Sequence, residues 1–192
     1  MTGKVKSERD KEFQGKLVHT RKIEIRTYDL GNDRVRIEGK LTDIKNPSDA
    51  DGGMREGSTL IHDLLARIWV QGPELTISRV EADMAHIPRE VCSEALPGLQ
   101  RLVGLKIISG FTAKVKALIG GIRGCAHLTS LFLSLGPVVV QGYWAAYGDR
   151  RESRSLDSPV ISRVINSCHV WRKDGPLLRS LASSWEKEKN KT

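Results

Sequence analysis

No stretch of this chain reads as an apolar run of membrane-spanning length, and its first residues are charged where a secretion signal is apolar. These absences predict a cytoplasmic protein with no membrane partner. Cysteine is scarce: Cys92, Cys125 and Cys168 are the full set, an odd number without paired spacing. That excludes a secreted disulfide framework and leaves thiols that are reduced or bound to metal. There is no C-x-x-C, no H-E-x-x-H, no glycine-flanked serine elbow, no phosphate loop ending in Lys-Ser or Lys-Thr, and no G-x-G-x-x-G. Each missing motif removes a mechanism that needs those side chains at that spacing. Gly120-Gly121-Ile122-Arg123-Gly124 is glycine-rich but lacks the lysine that holds phosphate.

Basic residues are abundant: 31 Lys and Arg stand against 23 Asp and Glu, a formal charge of +8. The excess is spread along the chain, with acids interleaved, and the sequence shows no aromatic–basic alternation like that of an RNA-binding sheet. Nucleic acid is therefore not the expected partner. A length of 192 residues fits one domain with tails. Residues 1–16 lack a hydrophobic period and predict a disordered basic tail, residues 17–185 a single domain, and residues 186–192 a charged tail.

Two hairpins open the domain. His19, Arg21, Ile23 and Ile25 alternate with charged residues, and after Gly31-Asn32-Asp33 so do Val35, Ile37, Gly39 and Leu41. A three-residue loop sets Arg21 opposite Asp43; a slip of two residues sets His19 there instead. Either way a basic group meets a carboxylate where the apolar face runs out. Residues 46–57 form a polar, glycine-rich loop. Leu60, Leu64, Ile68 and Val70 mark the next strand, with His62 among them, and Gln71-Gly72-Pro73-Glu74 turns into a return strand at about Leu75–Met84.

Helices follow. Cys92-Ser93 reads as a helix start with Ser93 as N-cap and Leu96, Leu99, Leu102 and Val103 as its stripe. Phe111, Val115, Leu118 and Ile119 form a second stripe. Gly124-Cys125-Ala126-His127 leads into the central one, Leu128, Leu131, Phe132 and Leu135, and Gly136-Pro137 is expected to kink or end that helix. A charged break, the pair Cys168-His169 and a terminal helix through Trp185 complete the chain. The expected fold is α+β: an antiparallel sheet of about four strands in two hairpins, with helices on one face.

Cys and His at helix starts and on a strand are a ligand set for zinc or iron. The metal candidates are His62, Cys92, Cys125, His127 and His169; the catalytic candidates are His127, His169 and Asp43. Helix geometry lets Cys125 and His127 serve one ion only if Cys125 stands outside the helix. The alternative for each cysteine is a small buried apolar residue, for His62 a satisfied core histidine, and for His127 or His169 acid–base work without metal.

Leu17-Val18-His19-Thr20-Arg21 with Ile37-Glu38-Gly39-Lys40-Leu41-Thr42-Asp43, then Arg101-Leu102-Val103-Gly104-Leu105 and Arg123-Gly124-Cys125-Ala126-His127-Leu128, make the chain resemble a bacterial family known only as domain of unknown function 2889. That resemblance implies catabolic gene sets for aromatic or lipid-like compounds. The order of elements also resembles iron–sulfur cluster scaffolds, which would select His62 or Asp63 with Cys92 and Cys125, although the hairpin cysteine of those scaffolds is missing. The expectation is a small metal-dependent enzyme, a lyase or hydrolase on a small organic substrate, with room for a homo-oligomer. The alternative is a metal or cluster carrier that docks on a protein partner.

Overall fold

In the computed structural model, alternation of apolar and polar residues becomes four long strands: β1 His19–Asp29, β2 Arg34–Lys45, β3 Thr59–Gln71 and β4 Thr76–His86. The structure describes residues 16–47, 57–148, 161 and 164–189. The predicted basic tail, most of the 46–57 loop and the charged break after Gly148 lie outside the described residues. The strands form one antiparallel sheet in the order β1-β2-β3-β4. Gly31, Asn32 and Asp33 turn the first hairpin with φ of 71, 53 and 56°. Those residue types tolerate the left-handed region best. The resulting register sets Arg21 opposite Asp43.

One face of the sheet is dry. Val35, Ile37, Leu41, Leu64, Ala66 and Ile68 expose nothing to solvent. The other face carries cross-strand rows that no single strand reveals. Tyr28, Arg36, Trp69 and Arg79 lie side by side, with Arg36 over the Tyr28 ring and Arg79 over Trp69. In the next row Arg67 Nε donates to Glu38 Oε2 at 2.7 Å. The registers shift between Asp43 and Ile44 and between Asp63 and Leu64. The first shift lets two consecutive residues, Asp43 and Ile44, both turn inward.

The helices cover the dry face, as expected, but begin differently. Cys92-Ser93 does not open an α-helix. Two 3-10 turns, Glu90–Ala95 and Pro97–Leu102, stand there instead. Ser93 caps nothing from outside; its hydroxyl donates back to Glu90 O at 2.7 Å. Pro97 has no N–H and its ring blocks the preceding turn, so an α-helix from residue 93 cannot propagate. Leu99 and Leu102 are buried beneath these turns, while Val103 is exposed.

Helix α1 spans Phe111–Ile119 and buries Phe111, Val115 and Ile119. Helix α2 runs from Ala126 to Tyr147 without a break at Gly136-Pro137. Of the expected kink or end at that pair, the end does not occur. Leu131, Phe132 and Leu135 before it and Val139 and Tyr143 after it all enter the core. Burial on both sides outweighs the one backbone bond that Pro137 forfeits. α2 also corrects the first expectation: its 22 residues are long and apolar enough, by length and composition, to cross a bilayer. Here that apolar face lies on β1 and β2, so close that a Cβ at Gly39 would stand 2.8 Å from Leu135 Cδ2. Helix α3, Pro176–Lys189, is the predicted terminal helix and continues past Trp185.

Candidate acid–base site

At the end of the sheet where β2 finishes and β3 begins, the apolar face gives way to a buried carboxylate. Asp43 follows Leu41 on the inward side of β2 and is only 1% exposed. Arg21, its partner on β1, grips it with two bonds: Nε to Oδ1 at 2.6 Å and Nη2 to Oδ2 at 2.7 Å. His62, its partner on β3, brings Nδ1 to Oδ2 at 3.0 Å. His19, two residues before Arg21 on the same face, places Nε2 3.3 Å from Oδ1. Both groups that the two registers offered to Asp43 therefore reach it.

The fourth partner comes from α2. Cys125 is its N-cap, with extended φ and ψ of −92 and 128°. His127, in the first turn, then points at the sheet end, with Nε2 3.7 Å from Asp43 Oδ2. Its ring stacks on His62 with centroids 3.7 Å apart and planes 32° apart. Because Cys125 stands outside the helix, its Sγ approaches within 3.8 Å of His127 Nδ1, the exception that the helix geometry allowed.

Charge follows from this arrangement. The Arg21 hydrogen bonds hold the Asp43 carboxyl below the ordinary carboxylate value, overcoming the burial that works the other way. The same contact raises Arg21. Burial first, then the neighbouring His62 and Arg21, pushes the His127 imidazole below its ordinary value, although Asp43 opposes the shift. The site therefore holds an ionised Asp43, a cationic Arg21 and a His127 that favours the neutral ring near pH 7. An ionised carboxylate only accepts, so in this contact His62 Nδ1 donates its N–H to Asp43 Oδ2.

Of the residues singled out from sequence, Asp43, His62 and His127 come together. Among the described residues they are the one group of three or more His, Cys, Asp or Glu side chains with ligand atoms within 4.8 Å of one another. Cys92, Cys125 and His169 do not join that group. Cys92 sits half-buried in the first 3-10 turn. Cys125 packs against the core beside His127. His169 is exposed and faces Arg172, 3.0 Å from its Nη1. The reason is position along α2: the 164–171 segment meets the middle of that helix, around Pro137 and Val140, roughly 15–20 Å from His127 at about 1.5 Å per residue. Conversely, His19 and Arg21 belong to the site although the list of candidates omits them. Their signal was the strand register, which set them against Asp43.

The protein-family comparison matches residues 19–141. That span holds the whole sheet and every member of the cluster, and leaves Cys168 and His169 outside. No curated protein and no solved structure matches the chain, so the likeness to iron–sulfur scaffolds gains no support there. With a match over well more than half its length, carried by the sheet and by α2 as far as Gln141, the chain belongs to the family described as protein of unknown function, DUF2889.

Proposed function

We propose that the Asp43 cluster is the acid–base centre of a small enzyme, one that moves a proton on a small organic substrate in a lyase- or hydrolase-type reaction. One observation carries this reading: a buried carboxylate bonded at once to a guanidinium and an imidazole, with a second, neutral-leaning imidazole stacked beside them. Arg21 keeps Asp43 ionised. Asp43 fixes the tautomer and orientation of His62, as a carboxylate does for a catalytic imidazole. His127, whose side chain is 30% exposed, is the group that solvent or substrate reaches, and a neutral imidazole near pH 7 can accept a proton.

A second reading, a zinc or iron centre, is favoured by the grouping of Asp43, His62 and His127. One detail weighs against it. Two imidazoles bound to one ion by bonds of about 2.1 Å hold their centroids roughly 5 Å apart, whereas these rings are stacked at 3.7 Å. Joint ligation would need the rings to unstack.

The test is proton exchange. The protein is incubated in D2O with a panel of hydroxylated and carbonyl-bearing aromatic and short-chain compounds, and the loss of substrate C–H signals is followed by NMR. We expect exchange on one chemical class and its loss in His127→Ala. Exchange that survives in His127→Ala would sink the assignment. Absence of exchange, together with stoichiometric zinc or iron in protein purified without chelators, would transfer the site to the metal reading.

A further inference from the structure

A second concavity lies well away from the Asp43 cluster. A solvent-open cavity of about 420 Å³ forms between the start of α1, the middle of α2 and the 164–171 segment. That volume lies in the range of small-molecule sites. Among the described residues its lining contains no Asp, Glu, Lys, Arg or His, in a chain whose residues are 28% charged. A charged ligand would find nothing there to neutralise it. Two aromatic rings, Phe111 and Trp171, contribute to the lining, and Val140 adds an aliphatic wall. Trp171 stands beside Trp144 at 6.2 Å between ring centroids, and its carbonyl accepts the Asn166 N–H at 2.9 Å. The polar side chains include Gln141 and Asn166. Asn166 Oδ1 already accepts the Lys173 N–H at 3.0 Å, so its NH₂ is the end it offers as a donor.

We propose that this cavity binds a neutral aromatic molecule of one or two fused rings that carries an uncharged oxygen acceptor, such as a ketone or ether. The flat apolar part meets Phe111, Val140 and Trp171; the oxygen meets an amide donor. The proposal is independent of the Asp43 chemistry, because it rests on a different part of the fold.

Cys168 provides the readout. It lines the same cavity and is exposed. The backbone N–H groups of Trp171 and Val170 favour its thiolate, so it should alkylate ahead of the half-buried Cys92 and Cys125. The probe is 2-acetylnaphthalene, compared with 2-naphthoate at equal concentration, and the alkylation of each cysteine by iodoacetamide is followed by peptide mass spectrometry. We expect the ketone to slow Cys168 at least threefold and leave Cys92 and Cys125 unchanged, while the carboxylate has little effect. Val140→Trp should fill the cavity and abolish the protection. Gln141→Trp, at an exposed position of α2, does the same if the first variant fails to fold. Equal protection by 2-naphthoate overturns the proposal, as does protection that survives in a folded filling variant. No protection up to the solubility limit of the ketone overturns it as well.

Discussion

At Asp43 a single carboxylate answers to four side chains from three elements, and its neighbours set what each substitution does. Arg21→Met leaves a buried charge with one strong partner fewer. The expected loss is about 2–3 kcal/mol, below the range for a fully buried pair because the Arg21 side chain is 36% exposed. Arg67→Met removes the ion pair with Glu38 on the wet face and should cost under about 1 kcal/mol; urea unfolding of the two variants checks the ranking. His127 makes a pH prediction. Its imidazole is depressed in the folded protein, so below about pH 6.5 the unfolded chain takes up a proton that the fold resists. Stability should fall as pH drops from 6.5 toward the folded value and then stop falling on this account. The depressed Asp43 adds a second loss below about pH 4, its stabilisation being present above that. Thermal melts from pH 8 to 3 on the parent and on His127→Asn test the first limb, which should flatten in the variant. An unchanged slope in His127→Asn would refute it.

Among the elements, α2 decides the most. It carries His127 to the sheet end and seals the dry face over β1 and β2. Two close approaches let it lie there. A Cβ at Gly39 would meet the ends of Leu131 and Leu135, and one at Gly142 would stand 2.4 Å from Thr27. Gly39→Ala pushes on flexible leucine tips, and Gly142→Ala pushes on a stiff β-branched residue. The expected costs are about 1 kcal/mol for the first and about 2–3 kcal/mol for the second, read from denaturation midpoints at equal m-values. If α2 seats His127 as described, Gly142→Ala should also weaken any activity that depends on His127, through displacement of the helix.

For the molecule as a whole, one continuous core joins the sheet to α1, α2 and the 3-10 turns. A buried change anywhere in it should lower the single unfolding transition. Phe132→Ala, at 1% exposure, should cost about 3–5 kcal/mol. Ile122→Ala, fully exposed in the turn before α2, should stay within about 0.5 kcal/mol. Comparable losses from the two would mean that Ile122 is covered in solution by something other than the described residues.

The sequence alone determined the strands, because period-two alternation over ten or more residues has no other satisfactory reading. It also brought a basic group to Asp43, since the Gly31–Asp33 turn leaves two registers and each sets Arg21 or His19 opposite that carboxylate; the folded sheet chose Arg21. The stripes of α1 and α2 were equally legible. Tertiary structure alone decided the rest. Pro137 reads as a kink or an end of the helix, and the end is ruled out only by the burial of Leu135 and Val139 on either side, which outweighs its lost bond. Ser93 reads as a cap until Pro97 forces a tighter turn. Tyr28, Arg36, Trp69 and Arg79 share one row only because three antiparallel strand pairings bring them together. His169 and His127 look equally suited to a site, both histidines next to or near a cysteine. Only the path of the chain after α2, which returns to the middle of that helix instead of its start, separates them. Local pattern reports propensity and face; which faces meet is a long-range choice, made by the free energy of the whole core.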